Sequence, residues 1–203
     1  MHETRLNQSA IVNRQSSMSD PLPELTRALV FAAHRHRQHA RKDELKTPYV
    51  NHLLDVVNLL VEEGVRDSET LVAAALHDTV EDTETSLDEI EALFGREVRD
   101  LVAEVTDDKT LRKDERKRRQ VEHAPEASPK ATLIKLADKI ANAWDVGHRP
   151  AADWSVERRL EYLAWAARVV ERLPAVSPRL VEQFRVVHEE GLKDLKGLKD
   201  SRT

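Results

Sequence analysis

The sequence predicts an all-α protein, on three observations. Apolar residues recur at three- and four-residue spacings through most segments from Pro21 to Gly191, the period of helices with one buried face. Only five of 203 residues are glycine, against 34% charged and 40% apolar, a balance that favours helices with a charged outer surface. No alternating apolar and polar run lasts long enough to argue for a sheet. The length suits one domain with a real core. A polar lead with no period, rich in Asn, Gln and Ser, is expected to be disordered over residues 1–18. A single domain is expected over 19–198, with a frayed Lys-rich tail at 199–203.

The elements follow in order. A first helix should start near Pro21 or Pro23, run through Leu25, Leu29, Val30, Ala32 and Ala33, and end in the basic stretch His34–Lys42. Asp43–Pro48 reads as a loop. From Asn51 to Glu63, Leu53, Leu54, Val57, Leu60 and Val61 share a face, and Gly64 supplies the stop. Asp67 or Ser68 caps the next helix, which is expected to continue from Leu71 to Asp82. Ser86–Glu89 is a capping box for a short helix to Phe94, closed by Gly95. Val98, Leu101, Val102 and Val105 mark another helix, to Thr106. Residues 107–120 are very highly charged. Ser128–Pro129 starts a helix that Gly147 should end, Ser155 starts another, and Ser177–Pro178 starts a last one ending near Gly191.

Composition excludes several functions. There is no cysteine, so disulfides and thiolate metal sites are ruled out. The net charge of -5 argues against general nucleic-acid binding. No apolar run approaches a membrane span, and the start lacks a signal-peptide core, so a cytoplasmic protein is expected.

The chain is organised around Leu71–Asp82, where six apolar residues run into His77-Asp78 and Glu81-Asp82. On one helix, His77 and Glu81 lie on one side, as do Asp78 and Asp82. Three carboxylates beside an imidazole repel one another unless a cation sits among them, and a divalent metal would remove that conflict. Ala73, Ala74 and Ala75 would let neighbouring helices come close. The competing reading is a solvated acidic helix end. Two further residues are candidates to join. His52 opens its helix, although a histidine there also caps or packs. Asp138 lies on an otherwise apolar face, costly to bury unless metal-bound or paired to Lys135 or Lys139.

His52, His77-Asp78 and Asp138 in this order resemble the H…HD…D signature of HD-domain phosphohydrolases. More narrowly, the chain is similar to the hydrolase domain of the RelA/SpoT family and to its small stand-alone members of the metazoan SpoT-homologue type. The likeness rests on Arg41-Lys42, Thr47–His52, His77–Thr83, Phe94-Gly95, Glu104–Thr110 and Lys135–Asn142, and runs from about residue 22 to 190. It implies an HD-domain helical bundle in which His52, His77, Asp78 and Asp138 bind one metal ion that activates water, Mn²⁺, with Fe or Zn as alternatives. Glu81 and Asp82 correspond to the family's catalytic acidic pair, without a division of labour between them. The implied reaction is removal of the 3′-pyrophosphate of guanosine tetraphosphate or pentaphosphate, (p)ppGpp, leaving GDP or GTP. Arg41, Lys42 and Asn142 match nucleotide-holding residues, and Tyr162 and Lys109 are further substrate-binding candidates. The run Lys109–Arg119 reads either as a phosphate clamp or as a solvated helix balanced by Asp114 and Glu115.

Two departures stand out. Leu53 replaces a frequent proline after the motif histidine, and Trp144 replaces a smaller residue close to Asn142, where it is expected to alter the pocket floor. The resemblance implies degradation of the alarmone without synthesis. Two other functions stay open: an HD phosphohydrolase acting on another nucleotide, such as NADPH at its 2′-phosphate, and an alarmone sensor without turnover. Intact Glu81 and Asp82 speak against the sensor. The oligomeric state is not legible.

Overall fold

The computed structural model describes residues 20–200, with side chains through residue 198. The expected lead at 1–18 and positions 201–203 of the expected tail lie outside the described residues. Helices follow as α1 (Leu22–Arg35), α2 (Val50–Glu63), α3 (Ser68–Leu76), α4 (Thr79–Asp82), α5 (Leu87–Phe94), α6 (Arg96–Val105), α7 (Lys113–His123), α8 (Pro129–His148), α9 (Val156–Val170) and α10 (Pro178–Asp200). A 3₁₀ turn at Ala124–Glu126 joins α7 to α8. Among the described residues there is no strand, and an isolated bridge links Ala40 with Pro48. None of the described helices is long and apolar enough to cross a membrane.

The helix starts follow from their side chains. Asp67, Ser86, Ser128 and Ser155 each accept a backbone N–H in the first turn of the helix they precede. At Ser86 the reciprocal half of the capping box is not made, because Glu89 pairs with Arg35 on α1. Gly64 ends α2 at φ 96°, a left-handed conformation that a Cβ would strain.

The core is built around α3 and α8. Every residue of α3 from Thr70 to Leu76 is buried, since α1, α2, α6 and α8 pack around it. Ala73, Ala74 and Ala75 are fully buried, as expected for a helix that others approach closely. Leu53, Leu60, Leu71, Leu76, Ile134 and Leu136 fill the space between these helices, each contributing about 1.5–3 kcal/mol by burial.

Four expectations about the elements need correction. On α2, Leu54 and Val61 are exposed and Val56 is buried, so the buried stripe is turned from the one expected. The helix from Leu71 to Asp82 is not continuous: it breaks at His77-Asp78. Gly147 does not end α8, and Gly191 does not end α10. Both glycines lie inside their helices, where the two helices cross. A Cβ on Gly147 would stand 3.4 Å from the Gly191 Cα, and one on Gly191 would stand 3.3 Å from Leu163 Cδ1. Close backbone approach, rather than termination, explains them. Gly191→Val is therefore expected to overpack the crossing by about 1–3 kcal/mol. Calorimetry should show a Tm lower by about 2–10 °C. An unchanged Tm would mean that the crossing is looser than drawn.

Candidate active site

The break between α3 and α4 sets the site. At the end of α3 the His77 ring folds back, and its Nδ1 donates to the Ala74 carbonyl at 2.8 Å. That bond satisfies one of the carbonyls a helix end leaves open and leaves Nε2 as the ring atom facing the two aspartates; burial opposes a charge on this imidazole, but Asp78 and Asp138 raise its pKa well above the usual value. The His77 Nε2 is buried with no hydrogen-bond partner, and so are both ring nitrogens of His52 on α2. Asp138 reaches in from α8, with Oδ1 3.3 Å from His52 Nε2 and 3.7 Å from His77 Nε2. Asp78 Oδ2 lies 3.0 Å from His77 Nε2 and 3.6 Å from His52 Nε2. The tightest set is His52, His77 and Asp138, whose donor atoms lie within 4.8 Å of one another. Asp78 flanks both imidazoles beside it.

The two Nε2 atoms, one from each imidazole, would cost about 1–3 kcal/mol each if left unsatisfied. Imidazole lone pairs and carboxylate oxygens converging from three elements fit a divalent metal ion, which turns that cost into coordination.

Neighbours hold the carboxylates in place. Tyr49 donates from its hydroxyl to Asp78 Oδ2 at 2.6 Å, and its ring stacks on His36 at 4.8 Å. Lys139 Nζ lies 2.8 Å from Asp138 Oδ2, and Asn142 Nδ2 donates to Asp138 Oδ1 at 2.5 Å. Burial works against the charge on Asp138, but Lys139 and the two histidines hold its pKa well below the usual range. Lys139 is raised in turn: burial opposes its charge, and Asp138, with Tyr162 and Asp107, more than offsets burial. Burial pushes the Tyr49 hydroxyl far above its usual pKa, and Asp78 adds to this, so Tyr49 remains a donor.

The acidic pair stands one turn further on. Glu81 Oε2 accepts from the Asp107 amide at 3.2 Å, and Oε1 accepts from Arg116 at 3.3 Å. Burial raises the Glu81 pKa to about 7; the Asp107 amide opposes this, and the charges of Asp78, Asp107 and Asp82 add to it. Lys109 pairs with Asp82 and lies 3.8 Å from Glu81. The structure thus places Lys109 on the acidic pair, outside the residues that line the nucleotide-sized cavity described next.

That cavity, of about 610 Å³, is lined by Arg41, Lys42, Tyr49, Asp82, Asn142 and Tyr162, among others, and adjoins the histidine cluster through Tyr49 and Asn142, which bond Asp78 and Asp138. Arg41 Nη2 donates to Asn142 Oδ1 at 2.8 Å and to Asp145 Oδ2 at 2.6 Å. Its charge is therefore matched by Asp145, while Lys42 beside it is exposed. Trp144 does not shape the floor. It is half-exposed and stacks on His148 at 4.7 Å, with the Arg149 guanidinium 4.6 Å from its ring. The tryptophan in the lining is Trp154.

The charged run is neither wholly clamp nor wholly solvated. On α7, Arg118 and Arg119 pair with Glu115 at the surface. Arg116 and Lys117 turn inward, Arg116 to Glu81 and Lys117 to the Trp165 ring at 4.8 Å. Sequence reasoning missed Tyr49, Lys139, Asp145 and Arg116 as site residues. Three left a trace: Tyr49 through its place in Thr47–His52, Lys139 as a candidate partner of Asp138, and Arg116 within the charged run Lys109–Arg119.

A profile of the HD domain matches residues 28–166. The guanosine-3′,5′-bis(diphosphate) 3′-pyrophosphohydrolase of Mus musculus is 51% identical over 174 residues, covering 85% of this chain and 97% of that protein. The enzyme of the same name from Drosophila melanogaster is 47% identical over 161 residues, covering 79% and 90%. Among solved structures, one described as a metazoan ortholog of SpoT that hydrolyses ppGpp superposes with a TM-score of 0.80 at 45% identity, covering 82% of this chain and 94% of that one. Similarity at this level, along nearly the whole length of these relatives, goes with the paired histidines and the acidic pair found at the break after α3: the chain belongs to the HD-domain hydrolases of the RelA/SpoT family, in the branch of the metazoan SpoT homologues.

Proposed function

We propose that this chain hydrolyses the 3′-diphosphate of guanosine tetraphosphate or pentaphosphate, giving GDP or GTP and pyrophosphate. The observation that carries this is the meeting of His52, His77 and Asp138 next to a cavity of nucleotide size, which Asp82 lines together with Tyr49 and Asn142, the partners of Asp78 and Asp138. The similar proteins of Mus musculus and Drosophila melanogaster bear this activity in their names.

In this reading His52, His77, Asp78 and Asp138 hold one divalent ion, Mn²⁺. When bound, the ion supplies Lewis acidity that lowers the pKa of water and offsets phosphate charge. Two imidazoles and two carboxylates suit manganese, iron or zinc, and the absence of cysteine removes the soft-ligand choices. Tyr49 and Lys139 orient the two carboxylates. The cavity of about 610 Å³ takes the guanosine nucleotide. Arg41, its charge already met by Asp145, presents a planar group suited to stacking on a base, whereas Lys42 meets phosphate as a point charge. Asn142 and Tyr162 complete the wall.

Glu81 is the proton acceptor. With a pKa of about 7, its carboxylate is a competent base near neutrality. Water adds to phosphorus, the bond from phosphorus to O3′ breaks, and a proton from the water passes by way of Glu81 to O3′. Asp82, tied to Lys109, borders the cavity and orients the water.

The role of Glu81 fixes a pH dependence. Its carboxylate form is lost as pH falls through about 7, so kcat should drop about tenfold per unit below that pH. A profile flat from pH 5 to 8 would remove Glu81 from the proton path.

The direct test incubates the purified protein with ppGpp, with and without Mn²⁺, alongside His77→Ala, and looks for GDP and pyrophosphate. Metal-dependent release that the variant lacks is expected. Tight binding of ppGpp without product under any metal would overturn hydrolysis in favour of sensing.

A further inference from the structure

Glu81 has little support of its own. It belongs to α4, a helix of four residues, closed by the Asp82 amide on the Asp78 carbonyl at 2.9 Å and the Thr83 amide on the Thr79 carbonyl at 3.1 Å. A helix this short does not hold itself rigid, and the glutamate side chain adds rotatable bonds. A proton acceptor must nevertheless stand within hydrogen-bond reach of the proton it takes. What fixes the carboxylate has to come from elsewhere in the chain.

It comes from α7. That helix has no buried residue and meets the core through Val121. Its inward face is otherwise polar. Arg116 and Gln120, four residues apart, lie on one side of it. Arg116 Nη1 donates to Glu81 Oε1 at 3.3 Å, and Gln120 Nε2 donates to Asp107 Oδ2 at 2.5 Å. The Asp107 amide in turn donates to Glu81 Oε2 at 3.2 Å. These contacts close a ring from Glu81 through Arg116, one turn of α7, Gln120 and Asp107 back to Glu81. Each carboxylate oxygen is gripped from a different side.

The ring is not what keeps α7 in place. Trp165 Nε1 on α9 donates to the Lys117 carbonyl at 3.0 Å, and Arg172 Nε donates to the Val121 carbonyl at 2.9 Å. Both bonds use the backbone of α7, so they survive a change of side chain at Arg116 or Gln120. The Arg116 Nε is buried with no hydrogen-bond partner, an arrangement that costs stability and points to a role outside folding.

We propose that Arg116 is a positioning residue for the hydrolysis: backed by Gln120 and Asp107, it holds the Glu81 carboxylate in the orientation that accepts the proton from water. This rests on the reading of Glu81 as proton acceptor. The charged groups that face this carboxylate are Asp78 and Asp82 beside it, Asp107 and Lys109 from the segment after α6, and Arg116 from α7. Lys109 is paired with Asp82 and stands 3.8 Å away, so Arg116 is the nearer cation, and its planar group carries direction as well as charge.

The test is steady-state kinetics on the metal-loaded full chain from pH 5 to 9. Arg116→Ala should lower kcat by about 10- to 100-fold, the scale of a misplaced catalytic group, while KM for ppGpp and metal content remain those of the parent. With the cation gone the carboxylate form is less favoured, so the acid limb should move up by about one pH unit. Arg116→Lys keeps the charge without the planar group, and should restore the limb and only part of kcat. Gln120→Leu should lower kcat several-fold, and it carries the test if Arg116→Ala fails to fold. Arg118→Ala, on the outer face of α7 and paired with Glu115 and Glu122, should match the parent. Parent-like kcat in Arg116→Ala or Gln120→Leu, a loss seen in KM or Tm alone, or no recovery by Arg116→Lys would each overturn the proposal. The titration of Glu81 is also read without turnover, from the carboxyl NMR signals of the metal-free full chain labelled at glutamate, with Glu81→Gln assigning the signal. If that titration moves up in Arg116→Ala while no preparation cleaves ppGpp, the hydrolase reading fails and Arg116 still sets Glu81. If the parent cleaves ppGpp and neither the limb nor the titration moves in Arg116→Ala, this inference alone fails.

Discussion

Glu81→Gln is expected to lower kcat by about 10²–10⁴-fold, the usual worth of a positioned general base. That loss corresponds to about 2.7–5.5 kcal/mol of transition-state stabilisation. The substitution keeps the shape and removes the proton-accepting charge. Both oxygens of Glu81 face donors, the Asp107 amide and Arg116, so the glutamine amide must turn its NH₂ toward one of them. The neutral side chain recovers desolvation that now raises the Glu81 pKa, which offsets part of that cost. The fold should therefore survive, and metal content should match the parent's. The acid limb of the pH profile should vanish with the charge. Steady-state rates from pH 5 to 9, with metal content measured on the same samples, check all three points. Parent-like turnover would remove Glu81 from the chemistry. A fall in rate that tracks lost metal would reassign it to holding the site together.

Much of this arrangement was legible in the residues. Ser128–Pro129 and Ser177–Pro178 mark helix starts because a hydroxyl cap and a fixed φ act locally, within one turn. The crowding of His77, Asp78, Glu81 and Asp82 pointed to a cation because like charges repel whatever the fold. What could not be read depends on partners far along the chain. Gly147 and Gly191 look like stops, and only the crossing of α8 and α10 shows them as a contact. The break at His77 is invisible in periodicity, since helix-compatible residues continue through it. Tyr49 meets Asp78 across 29 positions of sequence, and Arg116 meets Glu81 across 35. Lys109–Arg119 read as one charged run, but tertiary packing sorts it: Arg118 faces water, Arg116 reaches Glu81, and Lys117 lies over the Trp165 ring. Trp144 shows the limit of reading neighbours in sequence as neighbours in space, for it lies two residues from Asn142 yet stacks away from the cavity.

Removing the metal is expected to abolish turnover reversibly and to lower Tm. Chelation followed by dialysis should leave no measurable release of pyrophosphate, and added Mn²⁺ should restore it. An ion present at about a hundred times its Kd stabilises the folded chain by about 2.7 kcal/mol. For a chain of this size that is a Tm lower by about 5–10 °C in the metal-free protein. Two variants separate coordination from mere structure. His77→Ala removes a ligand together with the imidazole that stands 3.0 Å from Asp78 Oδ2 and 3.7 Å from Asp138 Oδ1, so its Tm should stop responding to metal and lie below that of the chelated parent. Asp138→Asn removes a ligand and also leaves Lys139, buried beside the Trp165 ring at 5.2 Å, without its counter-charge. Breaking a buried pair by deleting one partner costs about 3–5 kcal/mol, so Asp138→Asn should also unfold well below the chelated parent. If metal moved the Tm of His77→Ala as much as the parent's, the ion would be binding elsewhere, and His52, His77, Asp78 and Asp138 would have to be explained by their ion pairs alone. A Tm for Asp138→Asn equal to that of the chelated parent would instead show that Lys139 finds water, and that Asp138 is held for the metal and not for the lysine.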